Sequence, residues 1–585
     1  MKVLLLHPDD SPWSGSWNQS RWDLIVDLGF ASPYVYEDWS RRSGARVLSI
    51  YHFAGETQSF RWVNSLLEHG RGRLFDRMGL DWWEILGVWS YQHLQWLYLL
   101  EQLRPEISVD RVEILAASRP HPFARILGLL LNRSIQYSET EHRGPTIRLS
   151  RMLGSLRKLR PEQIPEIAFD KWDPAHQLRR HLFRRRRARL SDPVTLLPSA
   201  YSNVTKTYLA YAGQLPDRKF LLVTTRHSAV PHRLPENVMT VPLAAYALAS
   251  SVTRDETIEL RNAWDVFLPT LTSEMESLQR AARAGFLDYF PAHLRTGLLL
   301  REAWKEILNS EPVKGVLCGD DLNYHTRLPL ILAKRNGLNA VYCSHGALDG
   351  GFLFKLPYAD TFLVKGEMES DYLQRACAIS PDQIELAAPG SIPASQGADP
   401  ERDALVFFSQ PFEVEGGRAD KIYREIVPRL LSAARQSGRK LVVKLHPFES
   451  KQARSALVAS VLPGNTEFEI ISGAPPEEIM SRAWCGVTID SSVAVECALR
   501  QIPFFLCGWL DFMGVGYLRQ FARYGVAQVL ETPDSLERIP EFVAAYHCDP
   551  QRLDRLWHPA DPVRLEEILF SSRPLTSSIH VRADT

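Results

Sequence analysis

Four polar stretches, each directly after a short apolar run, carry the residue types that proton transfer and phosphate binding require. They are CGDDLNYHTR at 318–327, CSHGALDGG at 343–351, KLHPFES at 444–450 and TIDSSVAVECALRQIPFFLCG at 488–508. The apolar runs read as β-strands, and in parallel α/β sheets ligands bind at the carboxyl ends of strands. In the first two stretches Asp320, Asp321 and His345 are the available acids and bases. In the third, Lys444 and His446 can donate to phosphate oxygens, and Pro447 fixes the backbone that aims the imidazole. In the fourth, Ser491 and Ser492 fall where strand gives way to helix, so their hydroxyls and the free N–H groups there suit an anion. Glu496 follows Ser492 by one turn and could accept from ribose hydroxyls. Each residue also has a plainer reading, as a helix cap for the aspartates and serines and as a turn or structural residue for the histidines.

His-Pro occurs at His7, His121, His446 and His558. Only the pair at His446 is followed, within its own α/β unit, by a second phosphate-type loop. HPDD at 7–10 resembles the opening of zinc-dependent deacetylases, but the chain continues SPW where that family has a further acidic residue, and no matching downstream histidine motif follows.

The elements that must position these loops are βαβ units, because short β-branched runs alternate with helical stretches over most of the chain. Strands are expected at 2–6, 46–51, 111–115 and 134–137, then at 194–197, 220–224, 238–242, 315–319, 340–346 and 361–366. Beyond these they are expected at 405–408, 440–445, 468–471, 486–489 and 504–506. DWWEILGVWSYQHLQWLYLL at 81–100 spaces Trp82, Trp89 and Trp96 seven apart and reads as one amphipathic helix, packed in a core or docked on a membrane. RRHLFRRRRAR, which begins at Arg179 and ends at Arg189, reads as an exposed basic linker. It could meet a polyanionic glycan, or anionic lipid headgroups and so hold the protein at the inner membrane. The divisions that follow are an N-terminal α/β region at 1–175, the basic linker at 176–191, a Rossmann-like unit at 192–390, a second at 391–570 and a tail at 571–585.

With 585 residues the chain is long enough for two or three cores, and its 45% hydrophobic content is that of a globular protein. Basic and acidic residues balance at 68 each, which argues against nucleic acid as a partner. The seven cysteines form no CxxC pair and several lie in strand-like runs, the pattern of buried thiols in a reducing compartment. No apolar run reaches the length of a membrane span, and the N-terminus reads as a strand, so a cytoplasmic location is expected. No Gly-rich dinucleotide fingerprint follows any strand and no DxD stands in a loop suited to a metal-bound sugar nucleotide, so neither cofactor nor metal is expected.

KLHP followed by IDSSVAVECALRQIPFFL resembles the His-Pro and Ser-Ser motifs of bacterial GT-B transferases. These are the sialyltransferases, capsule Kdo transferases and CDP-glycerol glycerophosphotransferases that build surface polysaccharides from cytidine-activated donors. FFSQPFE at 407–413 is similar to a Gln-Pro loop in capsule-linked transferases. The resemblance covers 315–510 and fades over 192–314. It implies two facing Rossmann-like domains, with the N-terminal α/β region as an addition. It also implies that His446, Ser491 and Ser492 hold a donor phosphate and that Gln410 lines the nucleotide pocket. CSHG at 343–346 is similar to the Trp-His-Gly segment of the glycerophosphotransferases, whose histidine is a candidate base; here Ser344 replaces the tryptophan. In the sialyltransferases the base is an acidic residue of an Asp/Glu-Asp-Gly motif, and GDDLN has the paired carboxylates without the following glycine. The expected activity is inverting transfer from a nucleotide-sugar donor, CMP-linked, to a glycan or glycolipid acceptor. A glycerophosphotransferase, a UDP- or GDP-sugar transferase and a non-catalytic assembly subunit are the alternatives.

Overall fold

Among the described residues the strands assemble into three sheets, each wholly parallel and each in the same order. In the computed structural model the first part of the chain is described at residues 1–6, 12, 21–28, 33–49, 58–107, 113–116, 127–129, 131–132 and 135–137. Residues 187–390 are described apart from 226–227, 229, 232, 248–250, 274–275, 284 and 286. Residues 402–571 are described apart from 411, 413–418, 448, 463, 465–466, 474–475, 511–514 and 548–549. His7 to Asp10, His121, the arginine run before Arg187 and the segment 391–401 lie outside the described residues.

The first sheet contains β1 (Lys2–Leu6), β2 (Leu24–Asp27), β3 (Arg46–Ser49), β4 (Glu113–Ala116) and β5 (Gln136–Tyr137), in the order β3-β2-β1-β4-β5. The second contains β6 (Val194–Pro198), β7 (Lys219–Thr224), β8 (Val238–Pro242), β9 (Val313–Cys318), β10 (Asn339–Cys343), β11 (Thr361–Val364) and β12 (Ile384–Leu386), in the order β12-β11-β10-β9-β6-β7-β8. The third contains β13 (Ala404–Phe408), β14 (Lys440–Lys444), β15 (Phe468–Ile471), β16 (Ala483–Thr488), β17 (Phe504–Cys507) and β18 (Gln528–Leu530), in the order β15-β14-β13-β16-β17-β18. In each, the chain starts at the centre, steps outward twice and returns to the other side of its first strand. That reversal opens a crevice between β1 and β4, between β6 and β9, and between β13 and β16. The central strands VTLLP and ALVFF are buried along their whole length, as strands covered by helices on both faces must be. The architecture is α/β: two Rossmann-like parallel sheets with an additional N-terminal α/β region.

Three strands are absent from the sequence-based expectation. β2 is the four-residue run LIVD, too short to show a period, and β12 and β18 are three-residue edges. The aromatic stretch also differs, because it breaks at Ser90 into the helices Trp82–Trp89 and Tyr91–Ile107. At that break the Leu86 carbonyl accepts from the Ser90 hydroxyl at 2.8 Å and from the Ser90 N–H at 3.0 Å, so Ser90 caps the end of the first segment. Trp82 and Trp83 are fully buried, so this helix is a core element. Trp82 donates to Asp76 at 2.9 Å, and Asp76 and Glu256 both bind the buried Arg301 at 2.7 Å. Glu84, also fully buried, joins Arg71 and Arg327, each at 2.6 Å. The N-terminal region is thereby built into the helical layer over the second sheet.

The second and third sheets are held together beside their strand ends. Gly350 N–H donates to the Tyr517 hydroxyl at 2.7 Å, the Tyr372 hydroxyl donates to the Val515 carbonyl at 2.8 Å, and Gln520 donates to the Met368 carbonyl at 2.8 Å. The chain then crosses back. His558 N–H donates to the Lys365 carbonyl at 2.6 Å, and the helix Pro562–Phe570 packs on the second sheet, where Leu569 accepts from the Thr195 hydroxyl at 3.1 Å. His558-Pro559 is therefore part of the crossover. Among the described residues six cysteines are buried free thiols, and no helix is long and apolar enough to cross a membrane.

Candidate functional site

The chain leaves β9 at Gly319 and β10 at Ser344, which brings Asp320 and His345 to neighbouring strand ends. His345 Nδ1 lies 3.1 Å from the Gly319 carbonyl, which can only accept, so that nitrogen carries the proton. Nε2 is then the basic atom, and it faces the Tyr201 hydroxyl at 3.1 Å. Burial lowers the pKa of His345, reinforced by Lys365 and Lys355 and opposed by the Gly319 bond and Asp349. The ring is accordingly a neutral imidazole with its lone pair turned to Tyr201. Tyr201 itself is raised, mainly by burial and then by Asp320 and Asp349, so it stays a protonated donor. Burial pushes Asp320 up to about 6, the like charge of Asp321 adds to the rise, and Lys355 opposes it. One oxygen of Asp320 accepts from Leu322 N–H at 3.2 Å.

Asp321, a candidate base from its place in the sequence, is committed elsewhere. Its carboxylate binds Lys355 Nζ at 2.5 Å in a site that leaves it 1% exposed, with the Arg327 guanidinium at 3.9 Å. Lys355 also binds Asp349 at 2.7 Å and lies 3.8 Å from the Phe352 ring centroid. The crevice between β6 and β9 is filled by Tyr208, whose hydroxyl accepts from Gly319 N–H at 2.7 Å and donates to the Pro198 carbonyl at 3.1 Å. A side chain at Gly319 would meet that ring at 3.1 Å, so glycine is what lets Tyr208 close the crevice.

On the third sheet, Lys444 ends β14 and donates to the Leu445 carbonyl at 2.7 Å. Burial lowers the pKa of its ammonium, Glu449 pulls it back up, and Lys206, on the helix Ser202–Gly213 of the second sheet's domain, lowers it further. Lys444 thus lies within electrostatic reach of a cation from the other sheet's domain. His446 is half-buried and its pKa is lowered, first by burial and then by Lys444, which favours the neutral ring. Its loop is anchored by Glu449, which accepts from His446 N–H at 2.7 Å, from the Ser409 hydroxyl at 2.8 Å and from Arg454 at 2.6 Å.

Gln410 follows β13 and donates to Asp490 at 2.6 Å, while its carbonyl accepts from the Thr488 hydroxyl at 3.3 Å. It therefore bridges the crevice between β13 and β16 and fixes Asp490. Ser491 accepts from Val493 N–H at 3.4 Å, whereas the Ser492 hydroxyl makes no capping bond to the short helix Val493–Leu499. Glu496 is exposed on that helix. Tyr517 senses both Asp349 and Asp490, which relates the two sets of strand ends through one side chain.

The structure thus gathers His345, Asp320 and the unanticipated Tyr201 at one set of strand ends, and Lys444, His446, Gln410, Ser491 and Ser492 at the other. Glu449 was legible in principle, as a carboxylate three residues after His446 in KLHPFES. Tyr201 lies 144 residues from His345, and no local pattern marks it. At the basic run, Arg187 binds Glu306 at 2.7 Å and the Ala245 carbonyl at 3.1 Å, an intramolecular commitment of the part that is described.

No protein-family model matches the chain, and no curated protein sequence matches it. Among solved structures the chain is similar to CalG4, the calicheamicin glycosyltransferase, with 12% identity over 65% of this chain and 94% of that one and a TM-score of 0.37. It is similar also to the UDP-GlcNAc 2-epimerase of Methanocaldococcus jannaschii in complex with UDP-GlcNAc and UDP, with 11% identity, 64% and 98% coverage and a TM-score of 0.39. A third is MurG of Acinetobacter baumannii, with 11% identity, 65% and 99% coverage and a TM-score of 0.36.

Proposed function

We propose that the protein is an inverting glycosyltransferase that moves a sugar from a nucleotide-activated donor to a surface glycan or glycolipid acceptor. The observation that carries this reading is the division of chemistry between two sheets: a neutral imidazole with a tyrosine partner on one, and cationic and hydroxyl-bearing loops on the other. The reading takes the cytidine base from the likeness of KLHP and IDSS to the cytidine-dependent transferases.

In the step itself, His345 Nε2 takes the proton of the acceptor hydroxyl, either directly once Tyr201 yields its place or through the Tyr201 hydroxyl as relay. The acceptor oxygen bonds to the anomeric carbon as the bond from that carbon to the phosphate oxygen breaks. The nucleotide leaves as an anion whose growing charge is met by Lys444, by the ring N–H of His446 and by the hydroxyls of Ser491 and Ser492. Asp320, poised near neutrality, is the neighbouring carboxyl that the acceptor pocket can use to orient a hydroxyl.

The test is thermal stabilisation by CMP, CDP, UDP and GDP. A cytidine nucleotide should raise Tm, and the rise should vanish in His446→Ala and in the double variant Ser491→Ala, Ser492→Ala. His345→Ala should keep that rise while turnover drops by about 100-fold or more. Indifference to all four nucleotides would sink the reading; a response to UDP or GDP alone would retain the transferase and reassign its donor.

A further inference from the structure

Lys365 is the first residue after β11, the strand beside β10 in the second sheet, with Val341 opposite Thr361 and Cys343 opposite Leu363. From there its side chain reaches the loop that carries His345. Its ammonium donates to the Ser344 carbonyl at 2.7 Å and to the Gly346 carbonyl at 2.6 Å, the two carbonyls that flank His345. We propose that Lys365 is the positioning residue for His345, clamping the peptide on both sides so that the imidazole is held between Gly319 and Tyr201.

Two charge-assisted bonds, to the carbonyls one residue before and one residue after His345, fix the first and third of the three successive peptide planes from Ser344 to Ala347, so the backbone that carries the ring is held from both ends. The clamp is itself pinned. Lys365 N–H donates to Glu369 at 2.7 Å, Glu369 lies 3.7 Å from the ammonium, and the Lys365 carbonyl accepts from His558 N–H at 2.6 Å. The crossover segment thus holds the residue that holds the base. The charged and titratable groups around His345 are Tyr201, Asp320, Asp349, Lys355 and Lys365. Lys365 and Lys355 favour the neutral ring and Asp349 opposes them, so the clamp also helps keep Nε2 unprotonated.

This inference rests on His345 being the base, yet its key measurement does not. In histidine-labelled protein, with His345→Gln assigning the signal, the wild-type ring should appear as the single neutral tautomer protonated at Nδ1. Lys365→Met should lose that tautomer preference and titrate at higher pH. Its kcat should fall about 100-fold, the penalty for a misaligned reacting group, with the donor KM within about twofold. Lys365→Arg, whose fork can reach both carbonyls, should keep the tautomer and recover most of the turnover. A folded Lys365→Met whose His345 retains tautomer and midpoint would overturn the clamp. Loss of the tautomer in a protein that turns over no donor would support the clamp and count against glycosyl transfer.

Discussion

Glu369 shows how burial at a single residue becomes a property of the fold. Its carboxyl is pushed up to about 7 from an ordinary value near 4.5, chiefly by burial and against the pull of Lys365. The folded chain therefore binds this proton more tightly than the unfolded chain does. The resulting stability is complete below pH ~4.5 and is lost as pH rises through ~7, a span worth roughly 3 kcal/mol. Asp320, pushed from 3.8 up to about 6, contributes in the same direction. Urea midpoints measured from pH 4.5 to 8 should fall, and Glu369→Gln should remove part of that fall while still accepting from Lys365 N–H. Parallel curves for the two proteins would refute the assignment. Of the residues in this neighbourhood, His345 and Asp320 were legible in the sequence because each follows an apolar strand run. Lys365 and Tyr201 were not, because their roles come from a neighbouring strand end and from a helix start that only the folded sheet brings close.

Among the elements, strands that are buried on both faces announce themselves as apolar runs, which is why the centres of the second and third sheets could be read and the three-residue edges could not. Helix packing is less legible, since it depends on which small residue meets which ring. The helix Phe290–Ser310 approaches Trp82 through Gly297, where a β-carbon would lie 2.1 Å from the indole. Alanine is the better helix former there by ~1 kcal/mol in isolation. Gly297→Ala should nevertheless destabilise, by about 1–3 kcal/mol, because the indole is fully buried and has nowhere to move. Trp82→Phe, which shortens the ring system, should relieve part of that cost, so a double-mutant cycle in urea should show favourable coupling. Additive effects would place the strain elsewhere. The aromatic stretch is illegible for a related reason: its seven-residue spacing suggested one amphipathic face, whereas the break at Ser90 turns the two halves against different neighbours.

At the scale of the molecule, sequence order and spatial order part company at the C-terminus. The chain builds the third sheet and then returns, so that the helix Pro562–Phe570 completes the second sheet's domain. Gly315 in β9 marks the contact, since a β-carbon there would come within 3.0 Å of the Leu569 carbonyl. The crossing segment passes Lys365 on the way, which links the last helix to the clamp on His345. Leu569→Ala should cost about 2–5 kcal/mol, as a large-to-small change at a fully buried site does. Its effect should also be lopsided. Hydrogen exchange should speed up in β6, β9 and β10, which the helix covers, and stay near wild type in β13 and β14, one face of which packs in a separate core around Leu405, Phe407, Leu441 and Val443. Nucleotide stabilisation should survive, because the proposed donor loops lie on the sheet that this helix leaves behind. Equal loss of protection in both sheets would mean instead that the two domains open as one unit, and the separation of acceptor and donor chemistry between them would have to be abandoned.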